Sequence, residues 1–213
     1  HLTMPAQSFV RELREGWDAF RSRPWLWGIV VQFAFVNAAY VGAWSVLGPV
    51  VAENELGGAG AWGLILAAGA AGSMLGGLAA LRFRPGRLLL VATLVVLVDA
   101  LPPLLLAIPA PILVLAGAAL AGGIANALFG IFWETAMQQH VPPEQLSRAS
   151  SYDALGSFVF IPLGAAVAGP ISSVVGVTET LVGASAVIVA ATLLVLLIPD
   201  VRTLRRHEAA ASP

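Results

Sequence analysis

Long apolar runs separated by short polar turns dominate the chain. Trp25 to Ala52, Ala61 to Leu81, Leu88 to Ile108, Ile112 to Trp133, Leu155 to Val175 and Thr180 to Ile198 are six such runs. Each is close to or longer than the ~20 residues a helix needs to cross the hydrocarbon core of a bilayer. The pattern predicts an all-α membrane protein: a segment 1–24 ahead of the bundle, a six-helix transmembrane domain over 25–198, and a polar tail over 199–213 whose end is expected to fray. The turns have distinct characters. Glu53 to Gly60 is acidic and glycine-rich, Arg82 to Arg87 (RFRPGR) is basic, Ile108 to Pro111 (IPAP) reverses the chain, and Gly176 to Glu179 is minimal. Between the fourth and fifth runs lies a polar turn with Pro142, Pro143, Glu144 and Arg148. His140 is expected to be solvated there, and Asp153 to start the fifth helix, since an acidic residue suits a helix N-terminus.

Ahead of the first run, Phe9, Leu13, Trp17 and Phe20 recur at helical spacing, with Arg11, Glu12, Arg14, Glu15 and Asp18 on the other face. This predicts an amphipathic helix lying in the membrane interface. A soluble surface helix would show the same pattern, but an apolar run follows almost at once.

Composition agrees. The chain is 58% hydrophobic and 11% charged, with a mean hydropathy of +0.86, against about 25% charged in a soluble domain. The absence of cysteine excludes disulfides, cysteine metal sites and thiol catalysis. His1, His140 and His207 offer no ligand spacing, so no metal and no cofactor are expected. No nucleophile elbow or phosphate loop is visible, and an enzyme is not expected. A net charge of -1 gives no reason to expect nucleic acid. The chain opens on His1 with no leader pattern, which fits a start inside a longer protein.

All 11 basic side chains are arginines, and with six spans every one falls on the same side. The opposite turns carry only Glu53, Glu55 and Glu179. The positive-inside rule then places both termini in the cytoplasm of a multi-pass protein of the inner (plasma) membrane. Trp25, Trp27 and Trp133 fall near the cytoplasmic interface and Trp62 near the outer one, as an aromatic belt expects.

Small residues recur every four positions in the second run, at Ala68, Gly72, Gly76 and Ala80, and the fifth carries Gly156, Gly164, Ala165, Ala168 and Gly169. Such rows let helix backbones approach closely in lipid. They serve either packing within this bundle or a sliding contact with a second unit.

Six spans with both ends inside, small-residue rows in spans two and five, and a preceding amphipathic helix together resemble the C-terminal half of a major facilitator superfamily transporter. The turn GGLAALRFRPGR resembles the family's loop motif, with Leu81 nearest the position of its aspartate. The segment QQHVPPEQLSRASSYDALGSFVFIPLG, with Arg148, Ser150, Pro162 and Gly164, is similar to bacterial drug, macrolide and siderophore exporters, including the enterobactin-exporter type. The resemblance implies two inverted three-helix repeats forming half of a 12-helix fold. Spans one and four would line a central cavity, and spans three and six would be peripheral. Spans two and five would face the N-terminal six-helix half, through Gly72, Gly76, Gly164 and Ala168. That half lies outside this sequence, in the same chain, a partner chain or a second copy.

Candidate chemistry follows. Phe33, Asn37, Tyr40 and Trp44 share a face of span one, and Asn126, Phe129 and Trp133 a face of span four. Aromatics with a lone amide suit a large apolar ligand needing one or two hydrogen bonds, although the same amides also serve to bond neighbouring helices. Gln32 lies off that face. Asp99 falls near mid-membrane, where proline at Pro102 and Pro103 removes the helical donors of the Val98 and Asp99 carbonyls. A lone carboxylate at such a kink is costly while charged, which suits it to bind a proton. It would equally serve, protonated, to satisfy the freed carbonyls. Glu134 and Arg148 are candidates for an inner-gate ion pair, or are simply solvated.

The expected function is secondary active, proton-coupled export of lipophilic small molecules, with protons, substrate and the lipid bilayer as partners. Two alternatives remain open at this point. One is a non-transporting membrane module that binds a lipid or a partner, and the other is a homodimeric half-transporter.

Overall fold

The computed structural model describes residues 16–18, 20–108 and 110–206. Among them, six helices are long and apolar enough to cross a membrane: Pro24–Glu55, Ala59–Arg82, Leu88–Leu106, Ile112–His140, Pro143–Val175 and Val177–Val195, spans one to six. No strand occurs among the described residues. The chain is therefore an all-helical, multi-pass membrane protein. Of the predicted interfacial face, Phe9 and Leu13 lie outside the described residues. Trp17 and Phe20 stack 5.7 Å apart and close on Tyr152 at 5.7 and 5.9 Å, pinning this segment to span five.

Three spans change winding, each just before a proline. Span one is π-wound over Val41–Leu47, ahead of Pro49. Span three tightens to a 3-10 helix over Val96–Ala100, ahead of Pro102 and Pro103. Span five is interrupted at Val159 and Phe160, ahead of Pro162. A proline has no N–H for the carbonyl four residues back, so the helix rewinds or breaks there. In span three the Leu101 N–H donates to the Val98 carbonyl, which Pro102 leaves without its usual donor.

The hairpin between spans four and five differs from its predicted form. Span four runs past Trp133 to His140, and span five begins at Pro143, so Val141 and Pro142 alone separate them. Helical hydrogen bonding does not end where apolarity ends. Ala136, Met137 and Ala149 are fully packed in this polar stretch. Pro143 suits a first helical turn and Glu144 its positive end. Asp153 accordingly lies well inside the span-five helix and does not start it. His140 is half-buried rather than solvated: its Nε2 lies 3.1 Å from the Arg205 carbonyl, and its ring meets Trp25 edge-on at 6.5 Å.

The small-residue rows also correct an expectation. Gly72 and Gly76 are buried against the backbone of span four at Leu120 and Ile124, and Gly123 of span four abuts Gly69 and Ser73. A Cβ at Gly76 would come within 2.6 Å of the Ile124 carbonyl oxygen. In span five, Gly164 lies on Ala38 and Ala168 beside Gly42, both of span one. Gly72, Gly76, Gly164 and Ala168 are thus consumed by packing inside this bundle and do not face a second half. What spans two and five turn outward is large and apolar, including Met74, Leu78, Leu81, Leu163 and Val174.

Polar contacts gather the arginine-bearing segments at one end. Arg23 Nη2 donates to Gln145 Oε1 at 3.2 Å. The Arg206 N–H donates to the Gly86 carbonyl at 2.9 Å. With His140 of span four at the Arg205 carbonyl, the start of span one, the turn after span two, the span four–five hairpin and the tail gather at one end.

Gly72→Val is expected to destabilise the bundle by roughly 1–3 kcal/mol through forced separation of spans two and four. Gly77→Val, where a Cβ meets nothing within 4 Å, is expected to leave stability near wild type. Thermal unfolding in mild detergent compares the two.

Candidate functional site

Asp99 sits in the 3-10 turn of span three and is 5% exposed. Its carboxylate accepts from a single donor group of span four: Asn126 Nδ2 lies 3.1 Å from Oδ1 and 3.2 Å from Oδ2. Local sequence explains the approach. The rewound turn displaces Asp99 from regular helical register. Gly122, one turn before Asn126, lies against the carboxylate: a Cβ there would make ordinary contact with Asp99 Oδ1 at 3.5 Å. No arginine occurs in the sequence between Arg87 and Arg148, so spans three and four bring no cation to this carboxylate.

Asn126 is exposed on its other side to a cavity of about 340 Å³ between spans one, two and four. Tyr40 and Trp44, Ile65, Leu66, Gly69 and Ser73, and Ala119, Gly122 and Gly123 complete its wall. Tyr40 stacks on Trp44 at 5.9 Å, and Trp44 meets Trp62 at 4.7 Å. The Ser73 hydroxyl donates to the Gly69 carbonyl of its own helix. The cavity wall is therefore mixed: Trp44, Ile65 and Leu66 are apolar, Tyr40, Ser73 and Asn126 bring polar groups, and one carboxylate lies directly behind the amide. It can hold an apolar group that carries a hydrogen-bond acceptor.

Of the six predicted cavity residues, Tyr40, Trp44 and Asn126 meet at this space, and Asn37, Phe129 and Trp133 do not. Asn37 Nδ2 donates 2.9 Å to the Ser157 carbonyl, next to the break in span five. Phe129 is buried and stacked on Phe33 at 4.2 Å and on Trp133 at 6.1 Å. Trp133 is buried edge-on to Trp25 at 5.6 Å, and its Nε1 donates to Asp153 Oδ2 at 3.0 Å. The three do share a helical face with the cavity residues, but span five meets Asn37 and Trp133 there, and Phe33 of span one covers Phe129.

Gln32 donates from Nε2 to Thr192 Oγ1 at 3.0 Å, tying span one to span six. Glu134 is exposed at the polar end of span four, and the Arg148 stem lies against Gly16 and Tyr152 of its own neighbourhood. Among the described residues no ion pair joins Glu134 to Arg148, so the predicted inner-gate pair is not formed.

Sequence reading does not single out Asp153 and Ser157 as a site. Ser157 Oγ donates to Asp153 Oδ1 at 3.1 Å, completing the pair of donors that Trp133 begins. The available signal was their four-residue spacing ahead of Pro162, together with a tryptophan N–H in an apolar span that needs an acceptor.

No protein-family model, curated protein or solved structure matches the chain.

Asn126→Leu is expected to leave the Asp99 carboxyl buried without its donor and to destabilise the bundle by roughly 1–3 kcal/mol. The double variant Asp99→Leu, Asn126→Leu is expected to recover most of that loss, because both polar groups then leave together. Unfolding of the four members of the double-mutant cycle measures the coupling.

Proposed function

We propose that this chain is a six-helix half of a secondary active transporter of the major facilitator type, which exports lipophilic small molecules in exchange for protons. The observation that carries the reading is the Asp99–Asn126 pair at the wall of the cavity between spans one, two and four. Membrane-buried ionisable residues are costly, and they mark proton and substrate pathways. Here the amide that solvates the carboxylate is also the amide that faces the cavity. When Asp99 is charged, it holds the Asn126 N–H group. When Asp99 takes up a proton, its demand for that donor falls, and Asn126 is released to an acceptor on a ligand. Proton and ligand are thereby linked through one side chain.

The remaining features fit this reading. The arginine-bearing segments gather at one end, which the positive-inside rule assigns to the cytoplasm with both termini. Spans two and five turn large apolar side chains outward, available to lipid or to a second six-helix half. The rewound segments of spans one and three flank the cavity and the carboxylate, where discontinuous helices of transporters place their binding sites.

The test uses the complete transporter in proteoliposomes with an imposed pH gradient, with ethidium and a neutral macrolide as probes. Asp99→Asn is expected to lower gradient-driven uptake by roughly an order of magnitude while probe exchange without a gradient persists. Gradient-driven uptake at the wild-type rate in Asp99→Asn would remove Asp99 from coupling.

A further inference from the structure

We propose that Asp153 is a second proton-binding site, distinct from Asp99, and that its bond to the Trp133 indole is a latch between spans four and five. The geometry is built for one carboxylate. Asp153 is half-buried in the interior of the span-five helix. Oδ2 accepts from Trp133 Nε1 at 3.0 Å and Oδ1 from Ser157 Oγ at 3.1 Å. Both donors are themselves buried, with Trp133 5% and Ser157 7% exposed. Asn37 of span one holds the Ser157 carbonyl, so the serine is fixed from a third helix.

Among the described residues, the ionisable groups of the packed elements leave this carboxylate without a cation of its own. Span one brings none, because residues 24–39 contain no ionisable side chain. Span four brings Glu134, which is exposed. Span five itself brings Glu144, which is exposed, and Arg148 and Tyr152, which pack against Gly16. The described part of the preceding segment brings Asp18 and Arg21, both exposed, and Arg23, whose guanidinium donates to Gln145 Oε1 at 3.2 Å. His140 is engaged with Trp25 and the Arg205 carbonyl. Neutral donors therefore hold the Asp153 charge.

An indole N–H only donates, so Trp133 depends on an acceptor at this point. A hydrogen bond to an ionised carboxylate is about twice as strong as one between neutral groups. Protonating Asp153 weakens the latch and leaves the indole seeking another partner. Trp133 also lies two helical turns from Asn126, about 10.5 Å along the axis and on the same face. One face of span four is thus held at two heights by carboxylates from its two sides, Asp99 of span three and Asp153 of span five. Because span four packs backbone to backbone on span two, release of either latch bears on both helices.

The spectroscopic test does not need the transport reading. Tryptophan emission of the full-length protein in lipid nanodiscs is followed from about pH 8 to about pH 4, a range that spans carboxylate titration. Six tryptophans contribute, so the Trp133 signal is taken as the difference from Trp133→Phe. A reversible transition in intensity or emission maximum is expected in wild type. It should vanish in Asp153→Asn, whose amide oxygen still accepts from the indole but cannot titrate, and persist in Asp99→Asn. Asp153→Glu should restore a transition with a moved midpoint, which separates loss of the proton site from misfolding. A Trp133 transition unchanged in Asp153→Asn, or none in wild type, would overturn the proposal. Loss of pH-driven transport in no variant, with the Trp133 transition intact, would count against the transport reading alone.

Discussion

A polar side chain carried into hydrocarbon has only protein groups to bond to, and the amides, carboxylates and indole of this bundle take theirs from another helix or the next turn, because no water is there to serve them. That constraint organises this bundle. Asp99 reaches Asn126 across spans three and four, Asp153 reaches Trp133 across spans five and four, Asn37 reaches the Ser157 carbonyl across spans one and five, and Gln32 reaches Thr192 across spans one and six. Each bond is a point where two helices cannot slide or rotate without leaving a buried group unsatisfied. Together with the close glycine contact of spans two and four, these few bonds set the register.

Backbone irregularity obeys the same accounting. Proline at Pro49, Pro102 and Pro162 removes one helical donor each, and the chain responds by rewinding or breaking in the preceding turn. The rewound turn of span three is what presents Asp99 to Asn126. The break in span five is where Asn37 finds a carbonyl. Irregular turns and polar bonds therefore coincide: the first frees or displaces a group, and the second satisfies it.

Close packing supplies the distances. Gly72, Gly76 and Gly123 bring spans two and four together at backbone contact. A bulkier row would push span four away from span two and open the cavity between them. The small residues first legible as a surface for a partner thus act inside, as the spacers that define the site.

Much of the architecture is legible in sequence because its causes are local. Six apolar runs follow from the need to match bilayer thickness, and gathering of Arg23, Gly86 and Arg206 at one end follows from an even number of crossings. The rewinding near Asp99 follows from Pro102 and Pro103, whose effect is confined to one turn. Helical spacing also places Asn126 and Trp133 on one face. What spacing cannot contain is the neighbour across that face. Tertiary packing alone decided that Tyr40, Trp44 and Asn126 border open space while span five takes up Asn37 and Trp133 and Phe33 covers Phe129. It likewise turned Gly72 and Gly164 inward and gave Asp153 an indole in place of a helix terminus. A helix has one sequence periodicity but several neighbours, and which neighbour meets which stripe is settled by the summed fit of all six helices.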